Sequence, residues 1–276
     1  MKLPLGITCG FEDVHTFENA PLQIELDSLL AELASEPAYA DYRRLSLQVQ
    51  RAYLDRGNAP DSLVTAEQTA IVKALVALLN RPGRTRSEAL TSVIADYAGL
   101  LTPDQTDSLC RRFDPSLHDT FYLIEMRTQV ARTRRVSEGQ PAPDFMAQDL
   151  SGHTHRLSDY RGQWVFLEFS ASWCGWCKRE IPFIRQAYDA LKDKNIVFLT
   201  LMMDDRKDLW QGEVEKYNIA WTTLSDLKGI RKSEIARDYN VNGIPASFLI
   251  NPEGRIVDRD LRGDEVLSVL KSYLRQ

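Results

Sequence analysis

One stretch constrains this chain more than any other: Trp173-Cys174-Gly175-Trp176-Cys177-Lys178-Arg179-Glu180-Ile181-Pro182, preceded by an apolar, aromatic and β-branched run at residues 164–169. The run suits a buried strand, and Ser170-Ala171-Ser172 makes a turn. Two cysteines separated by two residues come within disulfide reach only where the backbone turns, as in the first turn of a helix. The order is therefore strand, short loop, cysteine pair, helix. The N–H groups and macrodipole of a helix N-terminus favour an anion, so Cys174 is expected to ionise more readily than a free thiol. The thiolate is the attacking species in thiol–disulfide exchange. Cys174 at the helix tip and Cys177 one turn inside thus supply an attacker and a resolver. Glu180, three residues after Cys177, shares its helical face. Pro182 removes a hydrogen bond inside the helix and is expected to kink it.

The same spacing could form half a zinc site, but the other half needs a second ligand pair. The remaining cysteines, Cys9 and Cys110, are isolated from each other and from any histidine cluster, so structural zinc is not expected. Cu(I) binding by the two thiolates stays open, because soft ligands suit that ion. Cys110 reads as a small buried hydrophobe, and a Cys9–Cys110 bridge has no support. His153 and His155 would share one side of a strand and are expected in a polar hairpin rather than a metal pair. Asp204-Asp205 reads as a solvated acidic helix start, with cation binding the lesser alternative.

Along the chain the pattern changes once. Up to about Arg135, apolar residues recur at helical spacing: Leu22, Leu26, Leu29, Leu30 and Leu33, then Tyr42, Leu45, Val49, Ala52 and Tyr53 before a stop at Gly57-Asn58. Thr65-Ala66-Glu67-Gln68 predicts a capping box ahead of Ile71, Val72, Leu75, Leu78 and Leu79, and Pro82-Gly83 ends that helix. Leu90, Val93, Ile94 and Tyr97 form another stripe. Thr102-Pro103-Asp104-Gln105 predicts a helix start, and Asp114-Pro115 repeats the device before Leu117, Phe121 and Ile124. These segments predict a small antiparallel bundle. Residues 136–143 are rich in turn and breaker residues and predict a linker. Strands and helices then alternate, which is the α/β signature. Helices are expected over 208–217, 230–239 and 265–274 as well as after the cysteines, and strands over 196–203, 221–224, 247–250 and 255–259. The expected domains are 1–136, helical, and 137–276, catalytic.

The second half resembles the TlpA/ResA-like thiol–disulfide oxidoreductases of the thioredoxin-fold superfamily. The likeness rests on Gly139-Gln140-Pro141-Ala142-Pro143-Asp144-Phe145, on residues 152–162, on Trp173 to Pro182, and on Gly243-Ile244-Pro245-Ala246-Ser247-Phe248-Leu249-Ile250 followed by Asn251-Pro252-Glu253-Gly254. It implies an α/β thioredoxin fold, a central mixed sheet flanked by helices, behind an all-α domain. It implies that Cys174 is the nucleophile and Cys177 the resolving thiol. Pro245 would be the cis-proline facing the dithiol, with the Ile244 backbone pairing to substrate. Glu180 matches an acid that tunes the dithiol. Glu168 falls where thioredoxins carry a buried acid, whereas the TlpA-like branch often has an amide. A buried carboxyl exchanges protons near neutrality, so Glu168 is expected to help deprotonate Cys177. Strand alternation puts Glu168 beside Phe166 and opposite Val165, Leu167 and Phe169, which leaves open a carboxylate facing solvent. Gly175-Trp176 departs from the common Gly-Pro pair. Trp176, with Trp173, offers a flat platform for a client peptide or a packing surface.

The resemblance implies reduction of client protein or peptide disulfides, re-reduction by an upstream thiol donor, and the periplasm or cell envelope. The redox-active Cys174–Cys177 pair requires no further cofactor. An oxidant or isomerase would use the same site, and a Cu(I) carrier or docking module is the non-enzymatic alternative. Peroxide chemistry usually needs a threonine three residues before the reactive cysteine, and here that residue is Ala171. At 276 residues with 43% hydrophobic and 26% charged residues, the chain has length for one or two domains and can bury a core without disulfide staples. The formal charge of −5 and the lack of a basic block give nucleic acid no footprint. No segment is expected to cross a membrane. Lys2 to Cys9 faintly resembles a lipoprotein signal, but its apolar stretch is short and Glu12 and Asp13 follow, so no working signal is expected. Cysteine usage leaves the compartment open.

Overall fold

The computed structural model describes residues 21–56 and 59–275, which divide between Arg134 and Arg135 into two compact units. Cys9, the 2–13 segment and the Gly57-Asn58 stop lie outside the described residues.

The first unit is helical: α1 (Pro21–Ser35), α2 (Pro37–Arg56), α3 (Asp61–Leu79), α4 (Glu88–Tyr97), α5 (Pro103–Cys110) and α6 (Phe121–Arg135). Its core gathers Leu29, Leu33, Ile71, Leu75, Leu78, Leu90, Val93, Ile94, Leu109, Cys110, Leu123 and Met126. Thr102 and Gln105 form the reciprocal capping box that starts α5. Three expectations need correction. α3 starts after Pro60, so Thr65 lies inside the helix, where its backbone cannot act as a cap. Asp114-Pro115 caps only a single 3₁₀ turn. The stripe on α6 is rotated: Leu123, Met126 and Val130 are buried, while Phe121 and Ile124 are exposed, as are Leu22 and Leu30 on α1.

A fourth correction concerns α3, which is long and apolar enough to cross a membrane (mean hydropathy 1.5). A core helix of a soluble protein meets the same test. Ile71, Ala74, Leu75, Leu78 and Leu79 face the bundle core, and Glu67 is buried on the same helix.

The second unit continues with β1 (Met146–Gln148), β2 (Thr154–Arg156), β3 (Trp164–Ser170), α7 (Gly175–Leu191), β4 (Ile196–Met202), α8 (Lys207–Lys216), β5 (Thr222–Leu224), α9 (Gly229–Lys232), α10 (Glu234–Asp238), β6 (Ala246–Ile250), β7 (Ile256–Arg259) and α11 (Glu265–Tyr273). The main sheet has the order β5-β4-β3-β6-β7. β3 is parallel to β4 and antiparallel to β6, so it lies at the centre of a mixed sheet. On one face Phe166, Phe198 and Leu249 pack against Ile181, Ile184, Ala187 and Leu191 of α7 and Val266 and Leu270 of α11. On the other, Val165, Leu167, Phe169, Leu201 and Phe248 pack against Ile235 and Ala236 of α10 and Tyr239 at its C-terminus. Helices on both faces bury nearly every side chain of β3, polar ones included.

Ser233 splits the expected 230–239 helix, ending α9 and capping α10 through the Ala236 N–H. The expected linker is ordered. Val136 is fully buried, and the Gly139 and Ala142 N–H groups donate to Ile256 and Gly254.

Candidate active site

β3 ends at Ser170, and four residues later Cys174 caps α7 in extended backbone (φ −84°, ψ 105°). The Cys177 N–H donates to Cys174 Sγ at 3.0 Å. A sulfur occupies the place where helices usually have a capping oxygen, and the free N–H groups of the first turn favour charge on it. Cys174 and Cys177 are disulfide-bonded, with Cα atoms 5.3 Å apart. They are 5% and 1% exposed, so both are buried and Cys174 is the less completely buried residue. The Ile244 carbonyl oxygen lies 3.6 Å from Cys174 Sγ, and the Ile244–Pro245 peptide bond is cis. α7 continues through Pro182 to Leu191.

Two carboxyls are buried in the same unit, Glu168 on β3 and Glu180 on α7. Glu168 is 3% exposed. Its strand neighbours place it on the α7–α11 face, so the solvent-facing alternative fails because helices cover that face. Glu168 Oε2 accepts from Thr200 Oγ1 at 3.0 Å, and Thr200 Oγ1 accepts from Trp221 Nε1 at 2.9 Å. Oε1 has no hydrogen-bond partner among the described residues. Burial pushes the Glu168 carboxyl up to about 8, opposed by the Thr200 hydrogen bond and the Arg262 charge and reinforced by Glu180. Glu180 is also buried, and its Oε2 accepts from the Gly263 N–H at 2.8 Å. Burial raises this carboxyl too, against the Gly263 hydrogen bond and Arg262.

Trp173 and Trp176 are 58% and 48% exposed beside the cysteines, and the Arg179 guanidinium stacks 4.8 Å from the Trp176 ring centroid. Gly175 is the first residue of α7, and a Cβ there would meet no atom within 4 Å. His153 Nδ1 and His155 Nε2 lie 3.4 and 3.3 Å from Asp149 Oδ2, and His155 stacks on Tyr160. Among the described residues no group of three or more His, Cys, Asp or Glu could hold a metal ion.

Asp204 corrects the expectation of a solvated helix start: it is 1% exposed, and α8 begins only at Lys207. Asp204 Oδ1 accepts from Ser172 Oγ at 2.5 Å, and Oδ2 accepts from the Ser172 N–H at 3.1 Å. The carboxylate thus fixes the loop that delivers Cys174. The signal for it was register: Ser170 pairs with Met202, so Ser172 and Asp204 each lie two residues past the end of that ladder. Asp204→Ala strips both Ser172 donors of their acceptor. It is expected to lower the unfolding free energy by about 1–3 kcal/mol, read from urea denaturation. An unchanged midpoint would mean that other contacts hold the loop.

The mixed sheet, the dithiol at a helix start and the facing proline together define a thioredoxin-fold thiol–disulfide oxidoreductase. The AhpC/TSA family pattern matches residues 138–259. The thiol–disulfide oxidoreductase ResA of Geobacillus kaustophilus is 36% identical over 121 residues, 44% of this chain and 67% of that protein. ResA of Bacillus anthracis is 30% identical over 161 residues, 58% of this chain and 86% of the relative. The solved thioredoxin domain of a Bacteroides vulgatus thiol–disulfide oxidoreductase is 30% identical and has a TM-score of 0.48, covering 50% of this chain and 98% of that one. The chain belongs to the ResA-like thiol–disulfide oxidoreductases.

Proposed function

We propose that this protein reduces disulfides of client proteins or peptides in the bacterial cell envelope, using Cys174 as nucleophile and Cys177 as resolving thiol. The observation that carries the reading is the placement of Cys174 Sγ: at the α7 N-cap, hydrogen-bonded by the Cys177 N–H, and 3.6 Å from the Ile244 carbonyl. In the reduced protein the Cys174 thiolate attacks one sulfur of the client disulfide, and the other client sulfur leaves as a thiolate. Glu168, when ionised, takes the Cys177 proton directly or through a water. The Cys177 thiolate then attacks Cys174 Sγ and releases the second client sulfur. The client gains two electrons, the dithiol closes to its disulfide, and an upstream dithiol donor returns it to the reduced state. The orphaned, buried Glu168 Oε1 supports the proton-transfer role, because it offers an acceptor with no competing partner among the described residues. Ile244 and Pro245 border the client strand, and Trp173, Gly175 and Trp176 form the surface beside it.

Reduction of insulin's interchain disulfides, with dithiothreitol as donor, tests this. The unmodified protein is expected to accelerate it and Cys174→Ser to fall to background. Equal rates for the two would remove Cys174 from the chemistry.

A further inference from the structure

The four residues after β7, 260–263, fold into an arch that bonds to β6, to the proline segment and to α7. Asp260 (φ 60°) and Gly263 (φ 54°) both occupy the left-handed region, which turns the chain back on itself. Asp260 and Leu261 bond to Ser247 of β6, and Arg262 and Gly263 bond to residues of the site. The Asp260 N–H donates to the Ser247 carbonyl at 2.8 Å, and Ser247 Oγ donates to the Leu261 carbonyl at 3.1 Å. Arg262 Nη1 donates to the Leu261 carbonyl at 2.9 Å and to Ser247 Oγ at 3.3 Å, while Nη2 donates to the Pro245 carbonyl. The Gly263 N–H donates to Glu180 on α7. One arch therefore grips both the proline segment and the cysteine helix.

We infer that Arg262 is a positioning residue for disulfide exchange, acting through the Pro245 carbonyl to hold the Ile244 backbone in register with Cys174. The inference rests on the proposed reading that a client strand lies along Ile244. β6 begins at Ala246 and is already paired on both edges, to β3 and β7. The main-chain pairing of β6 is made without Arg262, whose hydrogen bond to the strand goes to the Ser247 hydroxyl. Pro245 lies just before the strand, and the residue before it carries the carbonyl 3.6 Å from Cys174 Sγ. A planar guanidinium can serve three acceptors in fixed directions, which a single ammonium on a flexible stem cannot. Its side chain is 15% exposed, and the charged groups around it are Glu168, Glu180 and Asp260.

Arg262→Gln and Arg262→Lys in the full chain, compared on two substrates, test this. One is an extended peptide in a mixed disulfide, which can pair with the Ile244 backbone. The other is 5,5′-dithiobis(2-nitrobenzoate), which has no peptide backbone. In Arg262→Gln the KM for the peptide is expected to rise about tenfold relative to that for the small disulfide, comparable to the loss of one main-chain hydrogen bond. Arg262→Lys is expected to fall between this variant and the unmodified protein, and it decides the matter if Arg262→Gln does not fold. Equal changes for the two substrates, or peptide KM values unchanged in both variants, would overturn the inference while leaving the proposed function intact. Failure of the unmodified protein to exchange with either substrate would overturn the proposed function itself and this inference with it.

Discussion

Cys177→Ser is expected to stop exchange halfway and leave the client covalently attached to Cys174. The first step needs only the Cys174 sulfur, which keeps its place at the α7 N-cap and its hydrogen bond from the residue 177 N–H. The second step needs a thiol one turn further in, and a serine hydroxyl cannot displace the client sulfur. The mixed disulfide should then persist on the order of minutes to hours, the timescale of uncatalysed disulfide rearrangement. Intact-protein mass spectrometry would show a client adduct that dithiothreitol removes, and Cys174→Ser should show none. Release of product by Cys177→Ser at the unmodified rate would mean that a different group resolves the intermediate.

Glu168→Gln should have the next largest effect, and in two separate measurements. The carboxyl sits at about 8 against an ordinary value of 4.5, with burial as the main cause. Removing a positioned proton acceptor typically costs about a hundredfold or more, so resolution of the mixed disulfide should slow by roughly that factor. The inflection near pH 8 in the resolution rate should vanish with it. The second effect is on stability. A carboxyl whose folded value is raised binds a proton in the native state that the unfolded chain has lost. Its contribution is therefore fully present below pH 4.5 and is lost as pH rises through about 8. Across that window the unmodified protein should lose up to about 1.4 kcal/mol per pH unit through this group, and Glu180, also raised, adds in the same direction. Glu168→Gln should flatten the slope. Matching pH profiles of both rate and stability in the two proteins would remove Glu168 from the proton path.

What could be read from the sequence was local. The strand, loop, cysteine pair and helix are contiguous, and the capping box at Thr102 is complete within four residues. Asp204 was misread because its partner, Ser172, lies 32 residues away and meets it only through the parallel pairing of β3 and β4. Arg262 was missed for the same reason, lying 17 residues from the proline it holds. Alternation along β3 gave the face of Glu168 but not whether helices covered that face. On α6 the helical period fitted Phe121 and Ile124, yet burial followed Leu123, Met126 and Val130, because the neighbouring helices decide which side is inside. Thr65 to Gln68 has the letters of a cap, but the chain had already turned helical at Asp61.

The most direct test of a reductase built on this site is the equilibrium reduction potential of the Cys174–Cys177 couple. It can be followed by Trp173 and Trp176 fluorescence in thiol–disulfide buffers. A value near or below about −250 mV is predicted. A value of about −180 to −120 mV would make the protein an isomerase or oxidant, and failure to form a reversible disulfide would contradict the exchange mechanism altogether.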